Sequence, residues 1–172
     1  ITIKTWSRGC NGLQCFRDFI VEDSAGCKLL SATSVWVVID FSSRKLCRVD
    51  EIMEGIEHNT ECTTEIDRFP KLPSFELSDG CYVKSTTISS DMIDVNNHVN
   101  NVEYIKLVLR CAAENLNESK LYTKPLKLFL EYVHETMAGD SLQIFAKPSD
   151  DGSILFQICN SHGVSVKAVL HY

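Results

Sequence analysis

The sequence is short of three things, and each shortage excludes a class of protein. It has no apolar run approaching the ~20 residues that a bilayer-spanning helix needs. Val35 to Ile39 has only the length of a buried strand, so no helical membrane span is expected within these residues. Positive charge is also scarce, with 17 Lys and Arg against 23 Asp and Glu, a net charge of -6 and a pI near 5.3. Non-specific nucleic-acid binding depends on clustered cations that displace counterions from phosphates, so that class is excluded, and an acidic partner would need a local basic patch. Metal-site spacing is the third shortage. The eight cysteines, Cys10, Cys15, Cys27, Cys47, Cys62, Cys81, Cys111 and Cys159, include no C-x-x-C pair and have no paired-histidine companion. Several lie in apolar, strand-like runs where a free cysteine acts as a small hydrophobe. Reduced thiols in a cytosol-like compartment, without a cysteine-bound metal, are the expectation. The chain opens at Ile1 in a strand-like run, without an initiator methionine or a signal-peptide pattern, so processing or truncation of a preceding part is also expected.

At 172 residues, 44% hydrophobic and 23% charged, the chain can bury a real core as one domain or two small ones. Its most informative stretch runs from Asp94 to Tyr104, Asp-Val-Asn-Asn-His-Val-Asn-Asn-Val-Glu-Tyr. Val102, Ile105, Val108, Leu109 and Ala112 follow at helical spacing, and Asn100 with Glu103 reads as a capping box that starts the helix. The polar run therefore occupies a loop at a helix N-terminus, where unpaired backbone N–H groups carry partial positive charge and suit a developing oxyanion. Val99, Asn100 and Asn101 are the candidate donors. Asx and His residues before helices commonly serve as caps and turn formers. One helix needs one cap, however, so Asp94, Asn96 and His98 are surplus to capping. His98 can exchange a proton near neutral pH, Asn96 can donate and accept, and Asp94 can fix or activate a neighbour.

The flanks of the chain repeat each other. Strand-like runs at Ile1 to Trp6, Leu13 to Val21 and Lys28 to Phe41 are separated by Asn11-Gly12 and by Asp23 to Gly26. Ser141 to Lys147, Ser153 to Asn160 and Val164 to Tyr172 are separated by Asp151-Gly152 and by Asn160 to Gly163. Turn matches turn, Trp36 matches Tyr172, and the offset from Gly12 to Gly152 nearly equals that from Gly26 to Gly163, which indicates one domain used twice. The second copy adds a strand at Gly80 to Ser89, the helix from about Asn101 to Leu116 and a strand at Pro125 to Val133. Its expected form is a helix wrapped by an antiparallel sheet that ends in a four-strand meander, an α+β layout. The first copy holds only terminal strands, so residues 1–57 are expected to be the C-terminal part of an N-terminally truncated domain and residues 79–172 a complete one. Residues 58–78, with Pro70 and Pro73, form the linker, and Val49 to Glu57 is a candidate short helix. The face left uncovered in the first copy would favour aggregation or a homodimer.

A long helix embraced by an antiparallel sheet, in tandem, resembles the double-hotdog fold. The run from Asp94 to Ile105 closely resembles the D-x-N-x-H-V-N-N-x-x-Y-I signature of the acyl-ACP thioesterases, the plant FatA and FatB enzymes and their bacterial relatives. Ile3-Lys4-Thr5-Trp6, Phe16-Arg17-Asp18-Phe19, Ala32 to Trp36 and Leu130 to Glu135 resemble that family's segments in the same order. Carried over residue by residue, the family's catalytic group falls on Asp94, Asn96, His98 and Glu135. Two departures stand out. Thr136 occupies the place of a cysteine in the plant enzymes, so no cysteine nucleophile is available there, and Lys106-Leu107 replaces a tryptophan after Tyr-Ile. The connector Met137 to Asp140 looks more bacterial than plant, which implies a bacterial cytoplasm, or the plastid stroma for a plant protein.

The resemblance implies cofactor-free hydrolysis of fatty acyl-acyl carrier protein to free fatty acid, which terminates or diverts fatty acid synthesis. In one arrangement Glu135 and Asp94 share the work of orienting His98 and deprotonating water while Asn96 holds the thioester or the water; in another Asp94 attacks the carbonyl to form a transient anhydride that water then cleaves. Both stay open at this stage. His134 should point to the opposite strand face from Glu135 and is left out of the site. Acyl carrier protein is acidic, so a cationic dock is expected at Lys106 and Arg110, one helical turn apart, with Lys84, Lys120, Lys124 and Lys127 as further candidates. A hotdog acyl-CoA thioesterase and a catalytically silent acyl-binding hotdog are the competing readings.

Overall fold

The computed structural model describes residues 1–49, 53–64, 66–77, 81–115, 121 and 125–172. The chain divides into two compact units, Ile1–Pro70 and Lys71–Tyr172. The class is α+β: every strand pairing among the described residues is antiparallel, and these residues include an α-helix, Asn101–Asn115, a further helical residue, Leu121, and a short 3-10 turn, Ser90–Met92. No helix among them is long and apolar enough to cross a membrane.

In the first unit β1 (Thr2–Asn11), β2 (Gln14–Glu22) and β3 (Lys28–Trp36) form a meander in that order, and β4 (Val38–Ile39) with β5 (Leu46–Cys47) forms a separate small hairpin. The expected strand from Lys28 to Phe41 is thus interrupted after Trp36. β1 is longer than its alternating pattern suggested, because a bulge beside Gly9 carries the pairing on to Asn11. That extension corrects the expectation of free thiols throughout. Cys10 and Cys15 become direct cross-strand partners next to the Gly12-Leu13 turn and are joined in a disulfide; Cys27, Cys47, Cys62, Cys81, Cys111 and Cys159 are free. Asp18, fully buried on β2, accepts from Thr63 N–H at 2.8 Å and from the Thr33 hydroxyl at 2.9 Å, and faces Arg8 at 3.5 Å. Arg8 in turn donates to the Ile66 carbonyl at 2.8 Å and Trp6 Nε1 to the Glu61 carbonyl at 3.0 Å. The early part of the proline-bearing stretch therefore lies fastened against this sheet. On the opposite sheet face Ile3, Val21 and Leu30 are in register, with Ile3 and Leu30 exposed at 67% and 50%. The expected helix at Val49 to Glu57 is not a regular element where it is described: Met53 N–H reaches the Val49 carbonyl and Ile56 N–H the Met53 carbonyl, and residues 50–52 lie outside the described residues.

The second unit is a five-stranded sheet built from β6 (Tyr82–Thr87), β7 (Lys127–Tyr132), β8 (Ser141–Pro148), β9 (Ile154–Asn160) and β10 (Gly163–His171), in the order β6-β8-β9-β10-β7. This corrects the four-strand meander. β7 does not neighbour β8 but crosses to the far edge beside β10, so β8 to β10 alone form the meander. Alternate residues of three central strands, Leu142, Ile144 and Ala146, Ile154, Phe156 and Ile158, and Val166, Ala168 and Leu170, form one buried layer. Helix α1 (Asn101–Asn115) contributes to this core through Tyr104, Leu107, Val108, Cys111 and Ala112. Its buried stripe is rotated from the expected one, with Val102 half exposed, because Tyr104 and Cys111 belong to the core. On the other sheet face Gln157 closes a pair of hydrogen bonds with the backbone of Phe75, at 2.9 and 3.3 Å. The expected limits of strand and helix at Gly80 and Leu116 lie outside the described residues.

Candidate active site

The polar run before α1 folds into a closed loop. Asp94 N–H donates to the His98 carbonyl at 2.9 Å, Asn97 N–H to the Asp94 carbonyl at 3.1 Å, and Ile93 bridges to Val99. Asn97 sits at a φ of 62°, left-handed backbone that asparagine tolerates. The Asp94 carboxylate accepts Asn96 N–H at 2.8 Å and lies 3.4 Å from the Asn96 amide nitrogen. It thus forms an Asx turn and places Asn96, whose side chain is exposed. Asn100 Oδ1 accepts Val102 N–H at 3.0 Å and caps the helix. The capping box is not closed, since Glu103 turns to Lys106, 2.6 Å away, and Asn100 N–H donates to the Met92 carbonyl at 2.9 Å.

That last bond bears on the expected oxyanion donors. Val99 N–H is also occupied, by the Thr136 carbonyl at 2.9 Å. Of the three backbone groups singled out, two are already donated to carbonyls, and only Asn101 N–H has no such acceptor among the described residues.

The connection from β7 to β8 arrives opposite this loop. His98 bridges to Met137, and Met137 N–H is held by the Asp140 carboxylate at 2.9 Å within a turn where Gly139 has a φ of 86°, a conformation that suits glycine. The outcome is the central contact of the site: His98 Nε2 stands 3.3 Å from Glu135 Oε2, with side chains 32% and 62% exposed. Both are open to water and to a ligand. A carboxylate at Nε2 fixes the imidazole tautomer that leaves the Nδ1 lone pair free to take a proton. The expected four residues therefore form two linked pairs, His98 with Glu135 and Asp94 with Asn96. Among the described residues the Asp94 carboxylate is bonded within its own turn, not to the His98 ring.

Several residues that sequence reasoning did not assign surround the pair. Tyr104 and Tyr132 meet edge to face with centroids 5.9 Å apart, and the Tyr132 hydroxyl donates to the Asn101 carbonyl at 3.3 Å. Burial raises the Tyr104 phenol, against a hydrogen bond with Thr136 that lowers it. Burial, with Tyr104 beside it, pushes Tyr132 up to about 12. Asn160 donates to the Glu135 carbonyl at 3.3 Å. Its only sequence signal was a place at the start of a turn.

Of the cations expected to dock a carrier, Lys106 and Arg110 border an open depression of about 270 Å³ together with Thr86, Ser89 and Asp91. The Ser89 hydroxyl chiefly, and Lys106 to a lesser degree, hold the Asp91 carboxyl below its ordinary range. Lys84 is paired with Glu114, and Lys127 lies 5.1 Å over the Phe129 ring. Lys120 and Lys124 lie outside the described residues. No cluster of His, Cys, Asp and Glu among the described residues is arranged to hold a metal ion.

The palmitoyl-acyl carrier protein thioesterases of Gossypium hirsutum and Arabidopsis thaliana, both described as chloroplastic, are 30% and 34% identical over 162 and 153 residues. These matches cover 89% and 83% of this chain but 38% and 35% of the relatives, so the chain spans well under half of their length. An acyl-ACP thioesterase from Bacteroides thetaiotaomicron and the 12:0-ACP thioesterase of Umbellularia californica share the fold, with TM-scores of 0.76 and 0.77 at 23% identity, over 98% of this chain and 66% of each of those. The family models for the acyl-ACP thioesterase N-terminal and C-terminal domains match residues 1–56 and 83–170 in that order, and with both halves represented the chain belongs to the acyl-ACP thioesterase family.

Proposed function

We propose that this chain acts in the hydrolysis of the thioester between a fatty acyl group and acyl carrier protein, releasing free fatty acid and the carrier's phosphopantetheine thiol. The observation that carries this reading is the approach of His98 Nε2 to Glu135 at 3.3 Å, on two segments that share no secondary-structure element. His98 Nδ1 takes a proton from water as the oxygen attacks the thioester carbonyl, and Glu135 stabilises the imidazolium that forms. Asn101 N–H, at the positive end of α1, receives the oxyanion. Asn96 holds the thioester or the water. The proton returns from His98 to the departing sulfur. A thioester is an activated acyl donor, so positioning and proton transfer supply what the step needs. Asp94 is read as the residue that sets Asn96, because its carboxylate is engaged within its own turn.

The carrier is placed at Lys106 and Arg110, and a soluble compartment of fatty acid synthesis, bacterial cytoplasm or plastid stroma, is the proposed location. The tandem-hotdog organisation belongs to the same reading, with residues 1–57 as the end of a first hotdog, 58–78 as linker and 79–172 as the second. It is supported by the matching meanders β1 to β3 and β8 to β10. Their turns carry positive-φ glycines at corresponding places, Gly12 with Gly152 and Gly26 with Gly163. Dimerisation through the apolar face at Ile3, Val21 and Leu30 is part of the proposal, and sedimentation of the purified protein tests it.

The deciding experiment is fatty acid release from a panel of acyl-ACPs and the matching acyl-CoAs by the full-length natural protein, beside His98→Ala. Release from acyl-ACP that collapses in the variant is expected. Faster turnover of acyl-CoA moves the carrier assignment, and no turnover of either sinks the hydrolase reading in favour of an acyl-binding module.

A further inference from the structure

Thr136 is fully buried one residue beyond Glu135. Its hydroxyl donates to Ser165 Oγ at 3.2 Å and accepts from Asn160 Nδ2 at 3.4 Å. A hydroxyl offers one donor and two acceptor sites, so its donor and one acceptor site are engaged. The partners come from the end of β9 and from the β10 bulge between Val164 and Val166. Its carbonyl takes the N–H of Val99, next to His98, and Asn160 grips the Glu135 carbonyl with the same amide group. The Ser165 carbonyl holds the N–H groups of Val133 and His134 at 2.8 and 3.2 Å. The Thr136 hydroxyl thus ties the β7–β8 connection to the ends of β9 and β10, while its backbone carbonyl holds the segment that carries His98.

A residue sealed from solvent among hydroxyls and an amide has neither substrate access nor a base, so it is not a nucleophile. Burying a hydroxyl where valine would fit is costly unless its bonds are made. Here the donor and one acceptor are engaged, one residue beyond Glu135. We propose that Thr136 is the positioning residue of this site, its hydroxyl fastening the β7–β8 connection to the ends of β9 and β10 and so setting the separation of the Glu135 carboxylate from the His98 imidazole. The proposal rests on the reading of His98 and Glu135 as the catalytic pair.

Thr136→Val keeps the shape and removes the hydroxyl, whereas Thr136→Ser keeps the hydroxyl and removes a methyl. In the full-length protein, Thr136→Val is expected to lower kcat by roughly 10- to 100-fold, the scale on which a misplacement of about 1 Å costs activity, with KM for acyl-ACP within about twofold. Thr136→Ser should stay within a few-fold of the parent. The imidazole resonances of His98, assigned with His98→Ala, should move in Thr136→Val and stay in place in Thr136→Ser. Equal losses in both variants would mean that only packing matters, and unchanged kcat and imidazole signals in Thr136→Val would mean that the hydroxyl positions nothing; either overturns the proposal. If Thr136→Val does not fold, Ser165→Ala removes a partner of the same hydroxyl and is judged on the same two readouts. An inactive parent whose His98 signal still moves in the valine variant alone would sink the hydrolase reading and leave the positional coupling standing.

Discussion

The His98 ring faces the Glu135 carboxylate because the two backbone segments are joined beside the contact, Val99 N–H donating to the Thr136 carbonyl at 2.9 Å within the antiparallel bridge of His98 and Met137. The pair owes its geometry to strand-like pairing between a loop and a connection. Neither partner lies in a regular strand.

Glu135→Gln keeps the size of the side chain and removes its charge. If Glu135 stabilises the imidazolium of His98, this variant should lose activity by about 10²- to 10⁴-fold, the usual worth of positioned acid–base chemistry, with KM for acyl-ACP little changed. His98→Ala should fall at least as far, and the double variant no further than His98→Ala, because the two act as one unit. Steady-state kinetics on acyl-ACP decide it. Additive losses would mean that the two residues serve separate steps.

Much of this site was legible before the fold was known, though for different reasons. The start of α1 followed from Asn100 and the apolar spacing after it, since capping is local chemistry. The full capping box was not borne out, because Glu103 has a better partner one turn ahead in Lys106. Glu135 was singled out by family resemblance alone, since an acidic residue at a strand end carries no pattern of its own. The crossing of β7 to the far sheet edge was not legible, as alternation tells which face a residue takes and not which strand lies beside it. The Cys10–Cys15 link was within reach: Asn11-Gly12 was identified as a turn, and a two-residue turn at Gly12-Leu13 makes those cysteines opposite partners. The buried network of Asp18 was not legible, since the same strand carries Arg17 and Glu22, which are not buried, and charged residues are mostly exposed.

The helix cap gives a stability test that separates Asn100 from Glu103. Asn100→Ala removes the acceptor for Val102 N–H and should cost about 1 kcal/mol, whereas Asn100→Ser should cost much less. Glu103→Gln should shift stability by no more than about 0.5 kcal/mol, because it breaks only an exposed pair with Lys106. Urea midpoints at constant m-value measure all three. A loss in Glu103→Gln equal to that in Asn100→Ala would restore the closed box.

Carrier docking should depend unequally on the two cations. The Lys106 charge is partly offset by Glu103 at 2.6 Å, and Arg110 has no ion pair among the described residues. Arg110→Glu should therefore raise KM for acyl-ACP more than Lys106→Glu, by several-fold to about tenfold at low salt, with kcat preserved. The difference should shrink as salt rises, since exposed charges are screened over about 8–10 Å at 0.1–0.15 M ionic strength. An unchanged KM in both variants would move the dock elsewhere.

Tyr132 gives the protein an alkaline weakness whose sign follows from the partial desolvation of its phenol, in a residue that is 45% exposed. The unfolded phenol ionises near pH 10, and the folded one keeps its proton up to about 12. Between these values the unfolded state binds fewer protons than the folded state, so stability is fully present below the unfolded value and falls as pH rises toward the folded one. Ionisation also abolishes the hydrogen bond that the Tyr132 hydroxyl donates to the Asn101 carbonyl, at the helix end where the oxyanion is placed. Tyr132→Phe removes this group's share of the loss. Its stability at neutral pH should be slightly below the parent's, and its decline between about pH 10 and pH 12 should be shallower, with the remaining slope coming from other groups, including Tyr104, whose phenol burial also raises. Urea unfolding at about pH 9 and about pH 11 measures the difference. Equal losses in parent and variant would mean that the Tyr132 proton is not held by the fold.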